Sequence, residues 1–485
     1  MQDVYHYWAG EWRKPVGNTV LPVYDPARNE QVAQLIVAET QEVNAAVEAA
    51  QAAFRSWRSV PVTDRVQPLF RLKAMLERDF EAVARTITLE CGKTLVESRG
   101  EMRRAIENVE TACGMPYLIQ SGFNENIAPG IDEFSIRQPI GVAAILCPFN
   151  FPAMIPFWFL PYAVAVGCTV VIKPSERVPL TMQMLMQLMQ ECGLPVGVVN
   201  VINGGRAVSE VLIAHPLVKS ISFVGSSAAA RAVYAQAAAL GKRVQCQGGA
   251  KNPVVILPDA DIDTTTAVIA DSAFGCAGQR CLAASVAILV GDARKPFGDS
   301  LREAAASRKT GNGFDDVQMG PVISSQSQQR IEGVLTQIEA TGATLSVDGR
   351  KHNLSSGYFL KPTIVEGLDE QSELLRTEIF GPVLTLIEKP GIDAAIDFVN
   401  AGVYGNMACL FTNSGEAARR FRSEAEVGNV GINVGVAAPM SFFPFSGARG
   451  SFFGDLHGQG KDAVRFFTNE KVVVERWPKE WSRKF

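Results

Sequence analysis

The sequence predicts an α/β protein: a doubly wound, parallel-sheet nucleotide-binding domain, a second α/β domain beside it, and a small β element for association between chains. Three observations carry this expectation. At 485 residues the chain exceeds the roughly 250–300 at which a single hydrophobic core stops growing, so it divides into domains. Its middle alternates short β-branched runs with amphipathic helical stretches, the pattern of parallel strands covered by helices on both faces. Two strand-like segments, 122–138 and 470–477, fit neither alternating series and are free to pair with each other.

Taken in order, the first series has strands at 142–146 (VAAIL), 168–173 (CTVVIK), 198–202 (VVNVI), 220–225 (SISFVG) and 243–247 (RVQCQ). Between them, 180–192 carries Leu and Met at helical spacing and 226–240 is an Ala-rich helix. One helix between successive strands is the doubly wound arrangement. The second series runs through 254–258 (VVILP), a helix at 264–275, then 286–291 (VAILVG), TIVEG, VLTLIE and NVGIN. The expected domains are therefore 1–121 with 140–247 for the nucleotide, 248–446 for catalysis, and 122–139 with 447–485 for oligomerisation.

Composition narrows the function. With 47% hydrophobic and 20% charged residues the chain is an ordinary globular one, and a net charge of −4 without a basic run gives no footprint for nucleic acid. The nine cysteines are odd in number and form no CxxC pair or Cys/His cluster, so reduced thiols in a cytoplasmic enzyme without a metal are expected. Residues 1–12 lack a basic region followed by an apolar one, so a secretory leader is not expected. The stretch 151–172 has no charge in 22 residues, but Pro152, Pro156 and Pro161 break any spanning helix, leaving a buried strand–helix–strand unit and no membrane partner.

Four short segments carry chemistry. In SAFGCAGQRC (272–281), Cys281 follows Arg280, and a neighbouring cation is expected to depress a thiol pKa and favour the thiolate nucleophile. In PFNFP (148–152), Asn150 leaves a buried strand between two aromatics; it is either a turn residue or an amide donor for an oxyanion. IKPSE (172–176) puts Lys173 and Glu176 at the carboxyl edge of the sheet, where a Glu accepts from a ribose diol and repels a 2′-phosphate, favouring NAD over NADP; a solvated surface pair is the alternative. SFVGSS (222–227) is strand, glycine and helix start, with Ser226 or Ser227 as N-cap and the helix terminus available to a phosphate.

Together with GAKNP (249–253) and EIFGPV (378–383), these segments resemble, in order and spacing, the aldehyde dehydrogenase superfamily over nearly the whole chain. The resemblance implies Cys281 as nucleophile and Asn150 as oxyanion donor. It implies that Lys173 and Glu176, with Arg177 beside them, hold the adenosine ribose of NAD. Ser226 would meet the pyrophosphate, Glu378 the nicotinamide ribose, and Phe149 and Phe380 would line the cofactor. Hydrolytic members carry a Glu four residues before the Lys of GAKNP; Gln247 stands there, and an amide cannot take a proton from water. The runs CPFNFPAMIP, KPSERVP, FGCAGQRC and FSGARGSFFGD (445–455) are similar to the methylmalonate semialdehyde dehydrogenase branch, which lacks that Glu and releases its acyl group to CoA. In that branch two arginines grip the substrate carboxylate, at positions matching Arg104 and Arg280. The resemblance thus implies a small acidic semialdehyde as substrate and a homodimer or homotetramer as the assembly. Release to water, or a sulfonate-bearing aldehyde, is the alternative. Departures lie around the substrate region: Pro253 follows GAKN, and 433–444 reads NVGVAAPMSFFP.

Overall fold

The computed structural model describes residues 2–354 and 356–477. The alternation in the first half forms an eight-stranded sheet whose five central strands are parallel. Val142–Leu146 and Thr169–Lys173 are buried at every position, as expected of strands covered on both faces. Each fully buried Val, Leu or Ile there contributes about 1.5–3 kcal/mol. Numbered along the chain, the five lie in the order 3-2-1-4-5, from Val199–Val201 through Thr169–Lys173, Val142–Leu146 and Val218–Val224 to Arg243–Gln247. The direction of winding reverses between Val142–Leu146 and Val218–Val224, and the crevice above such a reversal is where doubly wound sheets bind ligands.

The apolar stretch 151–172 folds into this core. Its prolines break it into the short helices Met154–Phe157 and Leu160–Val166, and Gly167, at φ 103°, turns the chain into the next strand. Among the described residues no helix is long and apolar enough to cross a membrane.

The second series forms a seven-stranded sheet, parallel except for Thr344–Val347, with Asn252–Ile256 and Ala284–Val290 at its centre. The segment 122–138 forms two strands: Phe123–Ala128 turns at Gly130 (φ 71°) into Ile131–Pro139, which pairs antiparallel with Thr468–Arg476.

Two corrections to the expected domains follow. The range 447–485 is split: Phe452–Phe453 adds antiparallel to Arg243–Gln247 in the nucleotide-type sheet, Ala448–Arg449 pairs with Tyr404–Gly405, and only Thr468–Arg476 belongs to the outlying β element. Short strands with satisfied partners in two sheets leave no contiguous element there; 478–485 lies outside the described residues. Within 1–121, His6–Trp8 and Glu11–Arg13 extend the nucleotide-type sheet, whereas Gln2–Val4, Val20–Asp25 and Glu30–Ile36 form a separate three-stranded sheet.

Candidate active site

Three strand ends of the first sheet supply the crevice. Val142–Leu146 runs into Phe149 and Asn150, Thr169–Lys173 into Glu176, and Val218–Val224 into Gly225 and Ser226. The Lys173 ammonium donates to the carbonyls of Pro174 (2.8 Å) and Gly204 (2.9 Å) and lies 3.6 Å from the Glu176 carboxylate. Burial pulls Lys173 below the ordinary lysine range, and Glu176 opposes the shift. Ser226 caps Ser227–Ala239 by accepting from the Ala229 N–H, so that terminus is exposed and pre-shaped. Arg177 is turned away from Lys173: its guanidinium donates to Gln326 Oε1 (3.2 Å) on the Ser325–Ala340 helix, so the side chain ties the two layers together.

Across the crevice, Phe380 meets Phe149 edge to face at 5.9 Å. Phe380 holds a left-handed φ of 52°, a conformation that costs a non-glycine residue about 1–3 kcal/mol and that clusters at functional sites. Glu378 accepts from the Ala250 N–H (2.9 Å), and a Cβ on Gly249 would collide with its carboxylate. Burial raises Glu378 above the usual carboxylate range, against the pull of Lys251 and Arg330.

Cys281 comes from the second layer. Its loop follows the Ile262–Phe274 helix through Cys276, Ala277 and Gly278, all left-handed at φ 51°, 52° and 68°. At Gly278 no side chain fits, since a Cβ would collide with the Gly381 carbonyl. Glu97 accepts from the Cys276 N–H (2.5 Å), and Asn252 and Asn406 both donate to the Cys281 carbonyl (2.9 Å each). Asn150 is brought to this loop: its Nδ2 donates to the carbonyl of Gln279 (3.0 Å), two residues before Cys281. The amide nitrogen carries a second hydrogen, available to another acceptor.

The Cys281 thiol opens on a cavity of about 70 Å³, walled by Arg104, Glu107, Phe151, Trp158 and Arg280. Both arginines singled out from the sequence are therefore in one cavity with the cysteine. Their roles differ from a matched pair of forks. Arg104 is ion-paired to Glu107 at 2.9 Å, and its neighbour Arg103 points the other way, to Glu77. Arg280 spends one nitrogen on the carbonyls of Asp271 and Ser272 (2.9 Å to the latter), at the end of the Ile262–Phe274 helix, and its Nε is buried without a partner.

The expected activation of the thiol by its neighbouring arginine is corrected here. Cys281 is not depressed by Arg280; burial pushes its thiol up to about 12, and the arginine's opposing pull is smaller. Gln247 donates to the Phe445 carbonyl (3.1 Å), while its Oε1 is buried without a partner.

Several residues of this site escaped the reading of the sequence. Lys93, Glu97 and Glu101 reach it from a helix start some fifty residues before PFNFP; the Thr94–Glu97 spacing of a capping box is a signal for Glu97, and Lys93 and Glu101 carry none. Gln459, at φ 70° and with Oε1 buried and unpartnered, lines the cavity from a segment without an obvious motif. Among the described residues no group of three or more His, Cys, Asp or Glu side chains could hold a metal ion.

A doubly wound sheet whose crevice faces a cysteine-bearing loop of a second α/β layer defines a two-domain enzyme with a thiol at its domain junction. The chain belongs to the aldehyde dehydrogenase family: the model of the Aldehyde dehydrogenase family matches residues 12–473. It is 42% identical over 478 residues to a malonate-semialdehyde dehydrogenase of Halalkalibacterium halodurans, covering 98% of this chain and 99% of that one. Its structure is similar to that of a methylmalonate-semialdehyde dehydrogenase from Oceanimonas doudoroffii (TM-score 0.97, 41% identity, 100% of each chain). It is also similar to a Sinorhizobium meliloti protein described as a methylmalonate-semialdehyde dehydrogenase and solved with NAD (TM-score 0.97, 36% identity, 99% of each chain).

Proposed function

We propose that the chain oxidises a small acidic semialdehyde of the malonate or methylmalonate type with NAD, through a thioacyl group on Cys281 that is released to CoA. The observation that carries this reading is the shared cavity: a thiol, two arginines and apolar walls in about 70 Å³ suit a three- or four-carbon aldehyde with a carboxylate at its far end. The relatives' names point to the same substrates.

The donor set of the crevice fits a dinucleotide. Glu176 offers acceptors to the adenosine ribose, the Ser226-capped helix start suits a pyrophosphate, and Glu378 suits the second ribose, with Phe149 and Phe380 beside the nicotinamide. NAD, when bound, accepts the hydride. Arg104, with the uncommitted nitrogen of Arg280, draws in the substrate carboxylate. Cys281 loses its proton and attacks the aldehyde carbon, and the free hydrogen of Asn150 Nδ2, with the Cys281 N–H, holds the oxyanion. Once the hydride has left, the thioacyl group remains; with malonate semialdehyde its C–C bond to the carboxylate breaks to give CO₂, and the carbon left behind takes up a proton equal to the one Cys281 gave to solvent.

Gln247 cannot act as a base toward water, whereas a thiol ionises near pH 8.5 against about 15.7 for water, so CoA needs little help. With malonate semialdehyde the atoms balance as aldehyde, CoA thiol and NAD giving acetyl-CoA, CO₂ and NADH. Release to water is favoured by one observation, the Glu107 carboxylate in the same cavity, but Arg104 holds that carboxylate. A panel of acidic semialdehydes, and a sulfonate-bearing aldehyde, assayed for NADH and products with CoA present or omitted, decides the matter. An acyl-CoA product is expected, and free acid formed at the same rate without CoA would overturn the acyl-transfer step.

The nine cysteines are all free thiols, which supports a cytoplasmic setting. The sheet of Phe123–Ala128, Ile131–Pro139 and Thr468–Arg476 has open edges and exposes Phe123, Val472 and Val474. That surface supports association into a homodimer or homotetramer.

A further inference from the structure

We propose that the buried Lys93–Glu101 ion pair is the positioning device for Asn150, setting the oxyanion donor against the nucleophile loop; this rests on the role given to Asn150 above. Lys93 occupies a joint between two helices. Gly92 ends Phe80–Cys91 in a left-handed turn (φ 83°), where a Cβ would press on Pro26 and Pro321, and Thr94 caps Leu95–Cys113 with Glu97 in a capping box. The lysine has no freedom to sit elsewhere.

Its side chain is 2% exposed and that of Glu101 is wholly buried, with 2.7 Å between Nζ and Oε2. The same ammonium donates to the Asn150 carbonyl (2.5 Å) and lies 4.0 Å from the centre of the Phe151 ring. Through its other oxygen, Glu101 accepts from the N–H groups of Ala153 (2.7 Å) and Met154 (3.1 Å). One pair of charges therefore holds the backbone of the Asn150 loop from both sides. One turn earlier on the helix, Glu97 holds Cys276 of the nucleophile loop. The two loops are joined by the hydrogen bond from Asn150 Nδ2 to the Gln279 carbonyl, and a helix belonging to neither loop holds the backbone on both sides of that contact.

Stability alone is a poor account of such a pair, because burying two charges costs about as much as their attraction returns, and apolar replacements are often neutral. Position is what a fixed charge pair adds. Glu101→Gln keeps an acceptor for Ala153 and Met154 while removing the charge that fixes Lys93.

The test is a double-mutant cycle on the single-turnover NADH burst, with NAD affinity by titration and thermal melting alongside. Asn150→Ala should slow the burst by about 10²–10³-fold, as loss of one oxyanion donor does. Glu101→Gln should slow it at least about tenfold in the parent chain but less than about twofold in the Asn150→Ala background, with NAD affinity unchanged, because the pair acts through Asn150. Equal factors in both backgrounds, or an unaltered burst, overturn the positioning role and leave the dehydrogenase reading standing. A parent chain that yields no NADH with any acidic aldehyde overturns that reading, and this inference with it. Where Glu101→Gln fails to fold, the apolar replacement Lys93→Met with Glu101→Leu takes its place. A folded, NAD-binding double variant with an unslowed burst also overturns the proposal.

Discussion

The two walls of the crevice are built on different principles. On the wall at the ends of the first sheet, Lys173, Glu176 and Ser226, the residues proposed to hold the cofactor, stand within a few residues of a strand terminus and take their places from their own strands; Lys173 is buried, whereas Glu176 and Ser226 reach solvent. The reactive wall draws on both layers, where Asn150 leaves the first sheet to meet the cysteine loop of the second: Cys281 is placed by Asn252 and Asn406, Cys276 by Glu97, and Asn150 by Gln279 and Lys93, contacts spanning from 29 to 179 positions of sequence. A binding wall can be local because a ribose or a phosphate needs acceptors and donors at a sheet edge. A reactive wall has to hold a thiol and an amide together across a domain junction, which takes buried groups contributed from elsewhere in the chain.

The largest expected effect separates the walls outright. Cys281→Ala should abolish NADH formation while leaving NAD affinity within about twofold, since no group on the binding wall is touched. Retained turnover would remove the reactive wall from the chemistry. The next prediction concerns the thiol before substrate arrives. Burial raises Cys281 to about 12, so below that pH the thiolate fraction grows tenfold per unit. The iodoacetamide rate at Cys281 in the cofactor-free chain should climb by about 10³ between pH 7 and 10 without a plateau. A plateau below pH 9 would mean that Arg280 reaches the thiol after all.

Arg104 lines the cavity of Cys281 and is the residue proposed to bind the substrate carboxylate, so it sharpens the division. Arg104→Ala should lower kcat/KM for an acidic semialdehyde by about 10–100-fold, the value of a charge-assisted hydrogen bond. An uncharged aldehyde of the same length should change less than about twofold. Equal losses on both substrates would assign Arg104 to holding Glu107 and the cavity wall instead.

The same division explains how much was legible in the sequence. The doubly wound sheet was visible because period and β-branched runs are local signals, and the motifs proposed to hold the cofactor sit at the ends of those runs. Cys281 and Asn150 stood out as residue types in unusual settings. The grip on them did not: Glu101 reads as one more helix carboxylate until the fold brings Ala153 and Met154 to it. Arg280 was read as the thiol's activator from adjacency, but its guanidinium found helix-end carbonyls that no spacing rule anticipates. The split of 447–485 has the same origin, since two-residue strands such as Phe452–Phe453 take their pairing from a partner already formed.

The smallest expected effect tests the binding wall on its own terms. Glu176 is half exposed, 3.6 Å from Lys173, and among the described residues nothing on the reactive wall bonds to it. Glu176→Gln keeps an acceptor for the ribose diol but removes the negative charge. NAD affinity should then weaken by about three- to tenfold, the loss of one charged hydrogen bond near solvent, while a 2′-phosphate is no longer repelled. The ratio of NAD to NADP affinities should therefore fall more than NAD affinity itself, and the burst rate at saturating NAD should be unchanged. A slowed burst at saturation would show the two walls to be coupled through the sheet, and the local character of the binding wall would be lost.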